Sequence, residues 1–335
     1  MRLRTIGRLL AVVALVWGSF AAAGSAQPAG KTWNVAIGGE TPDHGIQAQL
    51  FAPSSITINA GDTVTWTMAA MFDHTVSFMS GVKQPAPVVP RAGGKFLFNP
   101  LVFNPQGGTS YDGKGIASSG FLHLKGSYSL KFTKPGRYAY ACLLHPGMAG
   151  TVIVLPSGKK LPATQADLDR KGALQVKAAL TRGTSLLKTT KPSVIRGAKG
   201  TTYVSPMPGT LAGAASVIRF VPESLTIKAG DTVRWVLTDP IELHTVTFSG
   251  TEQPPDFVTP QPQPQGPPQV YFNPKTVVRI GGLTHAGEGY YNSGFLAADA
   301  PGPKTYSLTF TRPGTYTYWC VVHVPQGMKG VINVQ

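Results

Sequence analysis

The chain has 335 residues, a formal net charge of +15 and only two cysteines, which gives room for two or three domains with a sizeable core in each. Glycine and proline number 39 and 29, about a fifth of the chain, and charged residues make up 13%. Frequent turns with abundant Val, Ile, Thr, Tyr and Phe are the composition of an all-β protein, not of a charge-rich helical one.

From the N-terminus, Arg2, Arg4 and Arg8 precede an apolar run from Leu9 to Phe20, and small residues fill Ala21 to Ala26. The run is too short for a comfortable membrane span, so residues 1–26 read as a secretory signal cleaved after Ala26. The expected location is therefore periplasmic or extracellular. No cysteine lies near the cleavage point to carry a lipid, and no later stretch is apolar and long enough to cross a membrane.

The next segment contains the first half of an internal repeat. Phe51 to Trp66 matches Phe220 to Trp235 at 11 of 16 positions, and Ser127 to His145 matches Thr305 to His323 at 11 of 19. Similarity over such lengths predicts two copies of one domain, placed at 31–155 and 201–335. In copy one, Ile56 and Ile58 alternate with Val64 and Trp66 around the turn Ala60-Gly61-Asp62, the period of half-buried strands. Leu225, Ile227, Val233 and Trp235 repeat the pattern. Tyr138, Tyr140 and Cys142 share one strand face after the turn Pro135-Gly136, as do Tyr316, Tyr318 and Cys320 after Pro313-Gly314. Gly150 to Val154 and Gly330 to Val334 give each copy a closing strand. Short strands with frequent turns predict a Greek-key β-sandwich for each copy. The Pro-rich stretches Gln84–Pro90 and Pro254–Pro268 read as ordered flaps or as simple surface excursions, and the second is the favoured expectation.

Residues 156–200 read as a basic linker with a short helix. Residues 157–200 alone carry ten Lys or Arg against two acids, while 201–335 carry eight of each. Pro162 and Thr164 suit the helix start, Leu168, Val176 and Leu180 its apolar face, and Arg182-Gly183 its end. The basic charge would allow peripheral contact with an anionic surface. No interleaving of aromatic and basic residues marks a nucleic-acid groove.

The chemistry lies in a residue set that occurs twice. Copy one has His74-Thr75-Val76 and then Cys142-Leu-Leu-His145-Pro-Gly-Met148; copy two has His244-Thr245-Val246 and then Cys320-Val-Val-His323-Val-Pro-Gln-Gly-Met328. One thiolate, two imidazoles and one thioether are the ligands of a blue-copper electron-transfer site. Zinc takes Cys and His but rarely a thioether. One short turn delivers Cys, His and Met, and the upstream His closes the set. The candidate ligands are thus His74, Cys142, His145 and Met148 at site one, and His244, Cys320, His323 and Met328 at site two. A disulfide between Cys142 and Cys320 would remove both thiolates. His44, His123 and His285 have no counterparts in the other copy and read as surface residues.

Both copies resemble the cupredoxins. Copy two has the Cys-x2-His-x4-Met spacing of plastocyanin and pseudoazurin, copy one the Cys-x2-His-x2-Met spacing of amicyanin, and each has Pro-Gly-x-Tyr-x-Tyr-x-Cys before it. The resemblance implies a β-sandwich with copper near one end, one copper per domain, and a loop histidine (His145, His323) close to an apolar surface where redox partners dock. The expected function is single-electron transfer between a donor and an acceptor protein. Copper delivery or buffering is the alternative. A copper oxidoreductase would need further histidines, commonly as His-x-His, and the chain has none; Ala141 and Trp319 precede the two cysteines. The protein is therefore read as an electron carrier and not as an enzyme.

Overall fold

A computed structural model describes residues 30–198, 200–250, 253–298 and 302–335. The signal-peptide reading falls outside the described residues. Among them, no helix is long and apolar enough to cross a membrane.

The protein is mostly β, and each repeat forms two sheets that pack face to face. In the first repeat, Thr32–Glu40 pairs in parallel with Thr63–Met68, placing Val35 opposite Trp66, and antiparallel with Ile46–Ala52. Thr63–Met68 pairs in turn with Ser127–Phe132. The facing sheet has the order Ser55–Asn59, Ala149–Leu155, Gly136–Ala141, Ser77–Ser80, Gly115–Ser118. In the second repeat, Gly200–Thr210, Thr232–Thr238 and Thr305–Phe310 form one sheet; Ser224–Ile227, Lys329–Val334, Gly314–Trp319 and Thr247–Phe248 belong to the other.

Burial follows the period of two. The strand Thr63–Met68 buries Val64, Trp66 and Met68 while the intervening threonines face outward. Trp66 anchors one core against Phe78 and Tyr140, at ring-centroid distances of 5.7 and 5.2 Å. Trp235 anchors the other against Phe248 and Tyr318, at 5.9 and 5.2 Å.

The two repeats interlock through equivalent residues. Ala215–Val217 pairs antiparallel with Ile46–Ala52, with Ala48 opposite Ala215, Gln47 opposite Ser216 and Ile46 opposite Val217. In the alignment of the copies Gln47 corresponds to Ser216, so the crossing lies on an approximate two-fold axis. The outer sheets thereby merge into one of eleven strands.

The Pro-rich segments obey the same symmetry; both stay at the surface, and part of each is ordered as an outer strand of a shared sheet. The hairpin Val88–Arg91/Lys95–Phe98 meets the hairpin Val258–Gln261/Gln269–Phe272 in a four-stranded sheet, with Leu97 opposite Tyr271. Phe98 and Phe272 meet across the crossing as tilted rings with centroids 4.2 Å apart. Proline lacks a backbone donor and disrupts a central ladder, and the aromatic residues between the proline runs supply the pairing surface.

The helix between the repeats runs Gln165–Thr189, 25 residues, so it is neither short nor stopped at Gly183. Thr164 caps it, accepting from the backbone N–H of Asp167, whose carboxylate reaches back to Thr164. Gly172 and Gly183 are buried in the helix interface. A Cβ at Gly183 would stand 2.3 Å from Ile46 Cγ2, and one at Gly172 would stand 2.9 Å from the carbonyl carbon of Ala52. Both glycines let the helix lie against the strand Ile46–Ala52.

His285 also departs from the surface reading, with only 3% exposure. It pairs with Phe310 as Tyr111 pairs with Phe132 in the first repeat, and its ring packs on Phe248, Phe310 and Tyr316. Burial pushes its pKa down to about 4. The unfolded chain titrates near 6.5, so between these values it binds more protons than the native protein. Stability is therefore full above about pH 6.5 and falls as the pH drops toward 4, by up to about 3 kcal/mol. His285→Tyr, which copies Tyr111, is expected to remove this loss. Urea midpoints of both proteins at pH 7 and 4.5 check it, and equal acid sensitivity of the two would refute it.

Candidate metal centres

The two upstream histidines are fixed by backbone pairing. His74 exchanges hydrogen bonds with Leu122, at 3.2 and 2.8 Å, and His244 does so with Leu296, at 2.9 Å each. The Ser-Gly-Phe-Leu motif that carries each leucine adds a second tie. Ser119 Oγ accepts from Val76 N–H at 2.9 Å, and Ser293 Oγ from Val246 N–H at 2.8 Å.

The cysteines stand just past the ends of Gly136–Ala141 and Gly314–Trp319. A threonine staples each to its upstream histidine. Thr75 Oγ1 accepts from Leu143 N–H at 2.8 Å and Thr245 Oγ1 from Val321 N–H at 2.9 Å. The same threonines donate their own N–H to Cys142 Sγ at 3.4 Å and to Cys320 Sγ at 3.3 Å. Each thiolate thus has one fixed backbone donor.

Three donor atoms converge in each repeat. Cys142 Sγ lies 3.7 Å from His74 Nδ1 and 3.3 Å from His145 Nδ1, and the two nitrogens are 2.9 Å apart. In repeat two the corresponding distances are 3.7, 3.3 and 3.1 Å. Nitrogen and sulfur ligands stand about 2.0–2.3 Å from a bound d-block ion, so donors this close can share one ion. Met148 and Met328 are buried, at 2% and 0% exposure, and their carbonyls accept from Cys142 and Cys320 N–H. The two extra residues of the second loop are taken up in a turn from His323 to Gly327. Gly147 and Gly327, directly before the methionines, have φ of 81° and 73°, a backbone region in which glycine pays no Cβ penalty. Both cysteines are free and buried.

Both loop histidines are buried, His145 at 5% and His323 at 0% exposure. The expected position near an exposed docking surface does not hold, because each repeat covers the other's loop. Two residues lie between them, each two positions before an upstream histidine. Phe72 meets His323 and His145 edge-on, at 4.8 and 6.4 Å. Glu242 places Oε1 3.1 Å from His145 Nε2 and Oε2 3.6 Å from His323 Nε2. Gln49, from repeat one, donates to Glu242 Oε1 at 2.5 Å. Asp239 Oδ1 accepts from the N–H groups of Ile241 and Glu242 and fixes the turn that carries Glu242. A cavity of about 170 Å³ between this junction and the four-stranded sheet is lined by Phe72, Phe98, Phe121, His145, Glu242 and Phe272, among others.

In each site the buried thiol and imidazoles shift one another's protonation. Burial pushes the Cys142 thiol up, but His145 and His74 outweigh it and hold the group well below its usual range; His323 and His244 do the same for Cys320. Burial opposes charge on Glu242 too, yet His145 and His323 hold its carboxyl well below the ordinary value. The upstream histidines differ. Burial and the neighbouring His145 push His74 down. His244 is raised to about 10, because Asp239 and Cys320 overcome the same burial.

Six of the eight candidate ligands supply the converging nitrogen and sulfur atoms, and Met148 and Met328 follow them in the same loops, with their carbonyls tied to the cysteine N–H groups. The other histidines lie elsewhere: His123 Nδ1 is 2.6 Å from Asp73, and His44 Nδ1 is 2.9 Å from Glu40. Sequence reading passed over Glu242, Phe72 and Gln49. The available signal was that the two copies differ in charge two residues before an otherwise shared histidine.

A family model described as copper binding proteins of the plastocyanin/azurin family matches residues 43–155 and 210–335. Plastocyanin of Scenedesmus fuscus is 33% identical over 37% of the chain and 95% of its own length. Plastocyanin of Tetradesmus obliquus is 33% identical over 32% of the chain and 59% of its length. Amicyanin-alpha of Methylorubrum extorquens is 30% identical over 32% of the chain and 67% of its length. Among solved structures, a reduced amicyanin variant aligns at 22% identity and TM-score 0.24, covering 37% of this chain and 82% of that one.

Proposed function

Because the chain belongs to the plastocyanin/azurin family of copper-binding proteins, we propose that it carries single electrons through two type 1 copper sites, one per repeat. The observation that carries this reading is the twice-repeated convergence of one thiolate sulfur and two imidazole nitrogens in a buried site. His74, Cys142, His145 and Met148 would hold one copper, and His244, Cys320, His323 and Met328 the other. Copper in such a set supplies one-electron redox chemistry with little rearrangement of its ligands. The protein's part is to hold the ligands still. The threonine staples and the His74–Leu122 and His244–Leu296 pairings fix the donors before any metal arrives. The covering repeat and the Pro-rich sheet keep water from both loop histidines.

In this reading residues 31–155 and 201–335 are the two copper domains, and the docked helix joins them. The protein works outside the cytoplasm after loss of residues 1–26, between a donor and an acceptor protein. Copper delivery or buffering fits less well, since exchange favours open sites and these ligands are buried.

The test is to load the purified protein with Cu(II), count bound copper and record the visible spectrum through a cycle of reduction and reoxidation. Two coppers with an intense, reversible thiolate-to-copper band are expected. One copper, a colourless product, or rapid loss of metal to a mild chelator would count against the reading.

A further inference from the structure

Glu242 belongs to repeat two, yet its shorter contact is to a histidine of repeat one. Its carboxylate stands 3.1 Å from His145 Nε2 and 3.6 Å from His323 Nε2. These are the ring nitrogens left free when Nδ1 faces the cysteine sulfur. A carboxylate on the outer nitrogen of a metal-binding imidazole fixes its tautomer and orientation and makes it a stronger ligand. Usually one carboxylate serves one histidine. Here one carboxylate stands against two, in two sites, and it is held from both repeats, by Gln49 of the first and by the Asp239 turn of the second.

Stability alone is a poor reason to keep this group. A carboxylate at 5% exposure has lost most of its hydration, and well-packed apolar residues often replace buried ion pairs at no cost. The first repeat has Phe72 in the matching position, and Phe72 packs into the core of the second repeat. The fold therefore accommodates an apolar side chain there.

We infer that Glu242 is a positioning residue shared by both metal centres, so that a single side chain of repeat two sets the ligand strength, and with it the redox balance, of the site in repeat one as well as its own. The inference rests on the copper reading above. Its two arms are distinct: His145 carries the effect to site one and His323 to site two. The longer contact predicts the smaller effect at site two.

The experiment uses the full-length, copper-loaded chain. Reduction potentials of both sites are measured by spectroelectrochemistry in the unsubstituted protein, Glu242→Gln and Glu242→Leu. Site one is assigned in a Cys320→Ser background and site two in Cys142→Ser. Removing the anionic acceptor weakens both imidazoles and favours Cu(I), so both potentials should rise. In Glu242→Leu the Cu(I)/Cu(II) balance at site one should shift by tenfold or more, about 59 mV for one electron, with a smaller rise at site two. Glu242→Gln, which keeps the size and hydrogen-bonding capacity, should shift both in the same direction by less. Asp73→Asn is the control for charge alone. That carboxylate adjoins His74 in sequence but pairs with exposed His123, and its loss should move neither potential tenfold.

If Glu242→Leu fails to fold, Glu242→Gln decides. A rise at both sites supports the inference. A shift confined to site two, or no shift at either, overturns it while leaving the copper reading intact. Absence of two reversible blue sites in the unsubstituted protein overturns both together.

Discussion

Cys142→Ser should lower the copper count from two to one and remove one of two thiolate-to-copper bands, leaving the band of site two. The expectation follows from ligand chemistry. A serine hydroxyl stays protonated at neutral pH and offers neither the negative charge nor the soft donor that binds copper in this geometry. It follows equally from placement. Cys142 and Cys320 sit in separate cores, each with its own imidazole pair and its own threonine staple. Cys320→Ser should give the mirror result, and the two single-site spectra should sum to that of the intact protein apart from small shifts. Metal analysis with visible spectra checks this. Loss of both bands from one substitution would refute separate sites.

The second large effect is in the scaffold. Gly183→Leu would normally favour a helix by about 0.8 kcal/mol. Here the new Cβ would begin 2.3 Å from Ile46 Cγ2 and 3.4 Å from Ala215 Cβ, and the rest of the side chain would have nowhere to go. Overpacking of a closed contact costs about 1–3 kcal/mol, more than the helical gain, and a leucine at so short an approach belongs at the upper end. We expect a net destabilisation of about 2 kcal/mol by chemical denaturation. Combining Gly183→Ala with Ile46→Ala should be less destabilising than the sum of the two single changes, since the second opens the space the first needs. Strict additivity would show that the contact is not the cause.

What could be read in the sequence was local or repeated. The ligands were legible because three of the four in each copy fall within nine residues or fewer, and because the pattern occurs twice. The strand positions followed from Trp66, Trp235 and their alternating neighbours. What could not be read depends on how two copies meet. Gly183 looks like a helix stop because its usual role is conformational, whereas here it is steric. His285 looks unpaired because its counterpart is Tyr111, a change of residue type that hides a shared place in the core. The Pro-rich hairpins join through Leu97 and Tyr271, and no spacing along the chain announces a contact between copies. Glu242 is the clearest case. The one sign in the sequence is that it replaces the Phe72 of the other copy, and that change gains a meaning only when the loops of both repeats are brought against it.

The approximate two-fold axis has a consequence for why the copies share one chain. A dimer of a single repeat would place the same residue on both sides of its axis. With phenylalanine on both sides, two imidazoles would be buried with no acceptor for their outer nitrogens; with glutamate on both, two carboxylates would crowd one small space and repel each other. One Phe72 and one Glu242 give each imidazole both an apolar wall and a carboxylate beside its outer nitrogen, 3.1 Å away at His145 and 3.6 Å away at His323, and a symmetric pair of identical subunits cannot provide that arrangement. Covalent fusion lets the two halves diverge at the axis while the crossings on either side of it, Gln47 with Ser216 and Leu97 with Tyr271, keep the geometry of the symmetric assembly.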